Sequence, residues 1–150
     1  RRGSPRSRDD AGRTLASGRM ADDSITAAIE ATIDGYLASF GANDRAAYVG
    51  AFAPDGWLED PVGSPRRVGP EAIGGFWDET RSMADALDLV PMGFRVVTGN
   101  EAVLTLQARP VIGGQTFALD IVDHMTFDDT GKIVALRAFF DPSTMAPLEG

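Results

Sequence analysis

The chain has 150 residues, no cysteine, a single histidine and a formal charge of −8, with 43% hydrophobic and 24% charged side chains. That length suits one domain with a sizeable core, and the composition excludes disulfides, thiol nucleophiles and thiolate metal sites, while a lone His124 argues against an imidazole-built zinc or iron centre. No apolar run approaches the roughly 20 residues of a membrane helix, and the division of charge, net +4 over residues 1–19 and net −12 over 20–150, argues against nucleic acid as a partner.

Residues 1–19, rich in Arg, Ser and Gly and without apolar periodicity, are expected as a disordered basic arm or a remnant preceding a domain over 20–150. From Ser24 to Phe40 the residues Ile25, Ile29, Ile33, Tyr36, Leu37 and Phe40 recur at spacings of three and four. They predict an amphipathic helix, capped by Asp23 or Ser24 and ended by Gly41. A second helix, capped by Asn43, is expected through Tyr48 and Phe52 and stopped by the PDG turn signal at 54–56. The stretch WLEDPVGSP at 57–65 then reads as a short strand running into a proline. Gly69-Pro70-Glu71 has proline where a first helical turn accepts it, and predicts a third helix bearing Ile73, Phe76 and Trp77.

Beyond residue 86 the texture becomes β-rich. FRVVTG, AVLTLQARPVI, QTFALDIVDHMTF and KIVALRAFF are separated by GN, GG and DDTG, which are hairpin and short-loop signals. The order is helices with one early strand, then a four-strand antiparallel meander: an α+β chain with helices packed on one face of a curved sheet.

Three polar residues occupy positions where this pattern calls for apolar ones. Tyr36 lies on the buried stripe of the first helix, as a core tyrosine with a satisfied hydroxyl also would. In an extended WLEDP segment, Leu58 and Asp60 share one side and Trp57 and Glu59 the other, so Asp60 follows a leucine inward; an Asp before Pro also commonly starts a turn. Asp123 shares its face with Phe117, Leu119, Ile121, Met125 and Phe127. A carboxylate among five apolar neighbours is costly unless paired, hydrogen-bonded or protonated. Spacing alone is compatible with an ion pair to Arg95, Arg109 or Arg137, and equally with a carboxyl kept for chemistry.

Tyr36 in IDGYLASFGAND, Asp60 in LEDPVGSP and Asp123 in FALDIVDHMTFDDTGKI, taken together, resemble the ketosteroid isomerases of the NTF2-like (SnoaL-like) superfamily, over about residues 24–145. The resemblance implies a cone-shaped α+β fold, with a curved mixed or antiparallel sheet and about three helices around an apolar pocket. It implies Asp60 as general base and Tyr36 with a protonated Asp123 as the oxyanion hole, a device the handling of carboxyl pKa values in that family exemplifies. Phe52, Trp77, Leu58, Met125 and Phe140 are expected against a hydrophobic, steroid-like substrate. No cofactor or metal is implied, and a homodimer is, with the sheet face bearing Val122 and His124 as its surface; a cytoplasmic location is expected. One departure stands out: some members place further tyrosines beside the oxyanion tyrosine, and the matching positions here are Phe52 and Trp77, which have no phenolic hydroxyl. Alternatives are another lyase, cyclase or epoxide hydrolase of the superfamily, the last wanting an Asp–Arg–Asp relay through Arg95 or Arg109, or a non-catalytic carrier of hydrophobic ligands.

Overall fold

A computed structural model describes the backbone of residues 8–149, with side chains from Asp22 onward. The helices are α1 (Arg8–Gly41), α2 (Arg45–Gly50) and α3 (Gly69–Ser82); the strands are β1 (Phe52–Glu59), β2 (Arg67–Val68), β3 (Ala86–Thr98), β4 (Glu101–Ile112), β5 (Gln115–Phe127), β6 (Ile133–Phe139) and β7 (Ala146–Pro147), with a 3₁₀ turn at Pro142–Thr144. The sheet has the order β2-β1-β6-β5-β4-β3, and β7 pairs separately with β5. The expected antiparallel meander is β3 to β6, but β1 enters beside β6 in parallel, which makes the sheet mixed.

Several local expectations are corrected. The first helix extends back to Arg8, into the stretch expected as an arm, because no proline lies between Pro5 and Pro54 to stop it; the rest of that expected arm, residues 1–7, lies outside the described residues. Asp44, not Asn43, caps α2: its carboxylate accepts the Ala47 N–H at 3.0 Å, while Asn43 takes a positive φ of 51° in the turn before it. The second helix ends at Gly50, and Phe52 already belongs to β1. The PDG at 54–56 is no turn between elements but sits where the β1–β6 register shifts between Phe52 and Trp57, a bulge that absorbs it. β3 starts well before Phe94; Pro91 and Gly93 hid its first half, and both are tolerated because β3 is an edge strand with a register shift between Pro91 and Arg95.

The core lies between the helices and the inner sheet face. Ile29, Ile33, Tyr36, Leu37 and Phe40 of α1 are buried as their spacing predicts, together with Tyr48, Ile73 and Trp77 from the other helices. Facing them are Leu58, Ala102, Leu104, Leu106, Met125, Phe127, Leu136 and Ala138, the inward set of each strand. Gly131, at φ 84°, lets the β5–β6 turn press against α1, where its carbonyl accepts the Thr32 hydroxyl at 2.7 Å; a Cβ there would stand 2.8 Å from Ala28 Cβ.

The inner face is graded along β5. Phe127, Met125 and Asp123 are buried, whereas Ile121, Leu119 and Phe117 are half-buried. Leu89 on β3 and Phe140 just past β6 are half-buried as well. The sheet is therefore sealed at its Phe127 end and apolar but open at its Phe117 end.

Candidate active site

Strand register brings the two aspartates together. Glu59 pairs with Arg137 on β6, so Asp60, the first residue beyond β1, comes level with Ala138, and Val62 N–H donates to the Ala138 carbonyl at 2.8 Å. Asp123 on β5 is the antiparallel partner of the same Ala138. The acids thus flank one alanine across three strands, about 10 Å apart at the backbone by ordinary strand spacing. Ala138 contributes only a methyl to the floor between them.

The turn behind Asp60 is tied down. The Asp60–Pro61 peptide is cis. Glu59 points to the opposite face, where its Oε1 accepts the Gly63 N–H at 2.9 Å and its Oε2 accepts Arg66 Nε at 3.3 Å, with Arg137 Nη2 at 3.5 Å from Oε1. Gly63 holds φ at 97°, a conformation that favours glycine, and the Arg66 guanidinium lies 3.9 Å over the Trp57 ring. The Gly63 N–H, then Arg66 and Arg137, hold the Glu59 carboxyl below its usual range against the desolvation that opposes them.

Asp60 and Asp123 are treated in the opposite way. Asp123 is 1% exposed, and neither carboxyl oxygen has a hydrogen-bond partner among the described residues. The expected arginines are elsewhere. Arg95 donates to Glu30 at 2.7 Å and Asp34 at 2.9 Å on α1, Arg109 donates to Gln107 at 2.7 Å, and Arg137 turns toward Glu59. The ion-pair account of Asp123 is therefore wrong. Removal from water raises its pKa well above the usual value, and the neighbouring Asp60 charge raises it further. Asp60 itself is half-buried, and desolvation pushes it up to about 7. Both shifts favour the protonated form of these two carboxyls.

Tyr36 reaches the same place from α1. It is 3% exposed, and burial, then Tyr48, Asp123 and Asp60, raise its pKa, so its hydroxyl stays a donor. Leu58 and Met125 are fully buried, Phe52 and Trp77 nearly so, and Phe140 stands half-buried at the open end. Sequence reading missed Tyr48, taken there only as an apolar helix position: it is buried against Tyr36, Phe40, Phe52 and Trp77. The parity of β5 places Leu119 and Ile121 on the face of Asp123, but neither they nor Leu89 are expected against the substrate, and all three are half-buried at the open end. Two surface clefts, of about 340 Å³ between α1 and α2 and about 330 Å³ beside Met92 and Val122, touch neither aspartate.

Residues 33–136 match the SnoaL-like domain family. The chain belongs to the SnoaL-like (NTF2-like) family. It is 31% identical over 121 residues to a steroid Delta-isomerase of Nocardioides simplex, a match that covers 81% of this chain and 96% of that protein. Two solved structures share its fold at a TM-score of 0.71. One is SalBIII, an epoxide hydrolase/cyclase-like enzyme with a role in pyran ring formation in the polyether salinomycin, at 21% identity over 80% of this chain and 95% of that one. The other is RV0760c of Mycobacterium tuberculosis, at 20% identity over 81% of this chain and 96% of that one.

Proposed function

We propose that the protein isomerises 3-oxo-Δ5-steroids, or similar β,γ-unsaturated ketones, to the conjugated isomers. The observation that carries this reading is a buried Asp123 with both oxygens unpartnered, beside an Asp60 whose pKa is pushed up to about 7. Groups left unsatisfied in this way await an uncharged oxygen-bearing ligand. Asp60, as carboxylate, removes a proton from the carbon between ketone and alkene. The freed electron pair moves onto the carbonyl oxygen, giving a dienolate that accepts hydrogen bonds from Tyr36 and protonated Asp123. Asp60 then returns the proton to the far end of the former alkene, the carbonyl reforms, and the double bond is left conjugated. The net change is one proton moved within one molecule. Each donor is worth roughly 10²–10³ in rate in a comparable oxyanion hole, and general-base action about 10²–10⁴.

A Delta-isomerase relative at 31% identity supports the substrate class, and the half-buried Leu89, Leu119, Ile121 and Phe140 suit an apolar, rigid molecule entering at the open end. An epoxide hydrolase relay finds no support: Arg95 is held by Glu30 and Asp34, and Arg109 by Gln107. The reading includes a homodimer formed through the outer sheet face, where Phe94, Val96, Val103, Val122 and Phe139 are exposed and His124 pairs with Glu101 at 2.8 Å. Among the described residues no helix is long and apolar enough to cross a membrane. The test is ultraviolet detection of conjugated enone from a Δ5-3-ketosteroid by the purified protein. Turnover that vanishes in Asp60→Asn is expected; steroid binding without turnover would instead make the protein a carrier.

A further inference from the structure

The chain contains two tyrosines, and the fold packs them against each other. Tyr48, on α2, is 0% exposed, and its ring lies 5.3 Å from that of Tyr36 at an inclination of 31°. Phe40, Phe52 and Trp77 surround it at centroid distances of 5.0, 5.7 and 5.3 Å. Its hydroxyl has no hydrogen-bond partner among the described residues. A phenylalanine would fill this aromatic cage equally well and would leave no polar atom stranded, so the hydroxyl lowers stability where it stands. The polar groups that act on it are Asp60, Asp123 and Tyr36, all three of the groups assigned to the reaction.

We infer that Tyr48 is a positioning residue for Tyr36: its hydroxyl donates to the Tyr36 oxygen when Tyr36 turns its own proton toward the substrate carbonyl. The inference rests on the donor role proposed for Tyr36. Two hydroxyls in series polarise each other, so the second strengthens the first as negative charge grows on the substrate oxygen. It also holds the Tyr36 hydroxyl against turning its proton away from the carbonyl. Phe52 carries no donor, and Trp77 carries an indole N–H but no hydroxyl. Tyr48 supplies from α2 the hydroxyl that those positions lack.

The test is Tyr48→Phe, alone and in a Tyr36→Phe background, in the enone assay, with melting temperature recorded. The expected result is a kcat lowered roughly tenfold, as for loss of one supporting hydrogen bond, with KM little changed. Melting temperature should be unchanged or higher, since a stranded hydroxyl has been removed. In the Tyr36→Phe background the second substitution should have no further effect. A Tyr48→Phe enzyme with full kcat, or one whose loss is the same with and without the Tyr36 hydroxyl, would overturn the inference. Full activity in Tyr36→Phe alone is a different failure, that of the donor role of Tyr36 itself.

Discussion

Glu59 and Asp60 are chain neighbours at the end of one strand, the first buried and the second half-buried, and the fold treats them as opposites. On the outer face Glu59 is given a backbone N–H and two guanidinium groups, and its pKa falls. On the inner face Asp60 is given no cation among the described residues, lies beside the unpartnered Asp123, and its pKa climbs to about 7. Burial alone does not separate them. The difference is whether the fold supplies partners: the acid that ties down a turn is satisfied, while the acid proposed for proton transfer is left wanting. The two roles are also connected, since the turn that Glu59 clamps is the one that aims Asp60.

The contrast breaks most sharply at Asp60. Asp60→Asn should cut turnover by at least about 10²-fold, as for loss of a general base, while steroid binding persists. Asp123 comes next. Asp123→Leu should lose roughly 10²-fold as an oxyanion donor is removed, whereas Asp123→Asn, whose amide still donates, should keep much of the activity. Neither variant should melt lower than the parent, because no cation is left unpaired; destabilisation of both would mean that a partner for Asp123 exists after all. Glu59→Ala should show the reverse profile. Its melting temperature should fall by several degrees as the Gly63 N–H and two arginines lose their acceptor, with kcat lowered only modestly through a loosened Asp60 turn.

A smaller effect tests the same contrast through pH. The folded-state pKa of Asp60, about 7, lies above the ~3.9 of an unfolded aspartate. The folded chain therefore keeps a proton that the unfolded chain has released. Stability from this group is fully present below pH ~4 and is lost as pH rises toward about 7. Denaturant titrations between those values should show stability declining in the wild type. Asp60→Asn should remove this share of the slope and leave the share that belongs to Asp123.

Part of the candidate site was legible because period decides facing. The 3.6 period of α1 places Tyr36 on the buried stripe, and the alternation of β5 turns Asp123 inward, while Asp60, just past β1, is half-buried. What stayed hidden depends on contacts remote in sequence. The parallel pairing of β1 with β6, which sets Asp60 level with Ala138, leaves no local signature. Nor does the approach of Arg137 to Glu59, across 78 positions. Tyr48 reads as an ordinary apolar helix residue until α1, β1 and α3 close around it. Pro91 and Gly93 look like punctuation and hide the first half of β3, although an edge strand accommodates both.

The most direct test of the central claim, that Asp60 is a base raised to near neutrality by desolvation, is the pH dependence of kcat/KM for enone formation. Activity should rise with pH as Asp60 ionises, reach half its maximum near pH 7 and level off above it. A profile already flat from about pH 5 upward would mean that the ionising base keeps an ordinary carboxylate pKa, and the account of Asp60 would be contradicted.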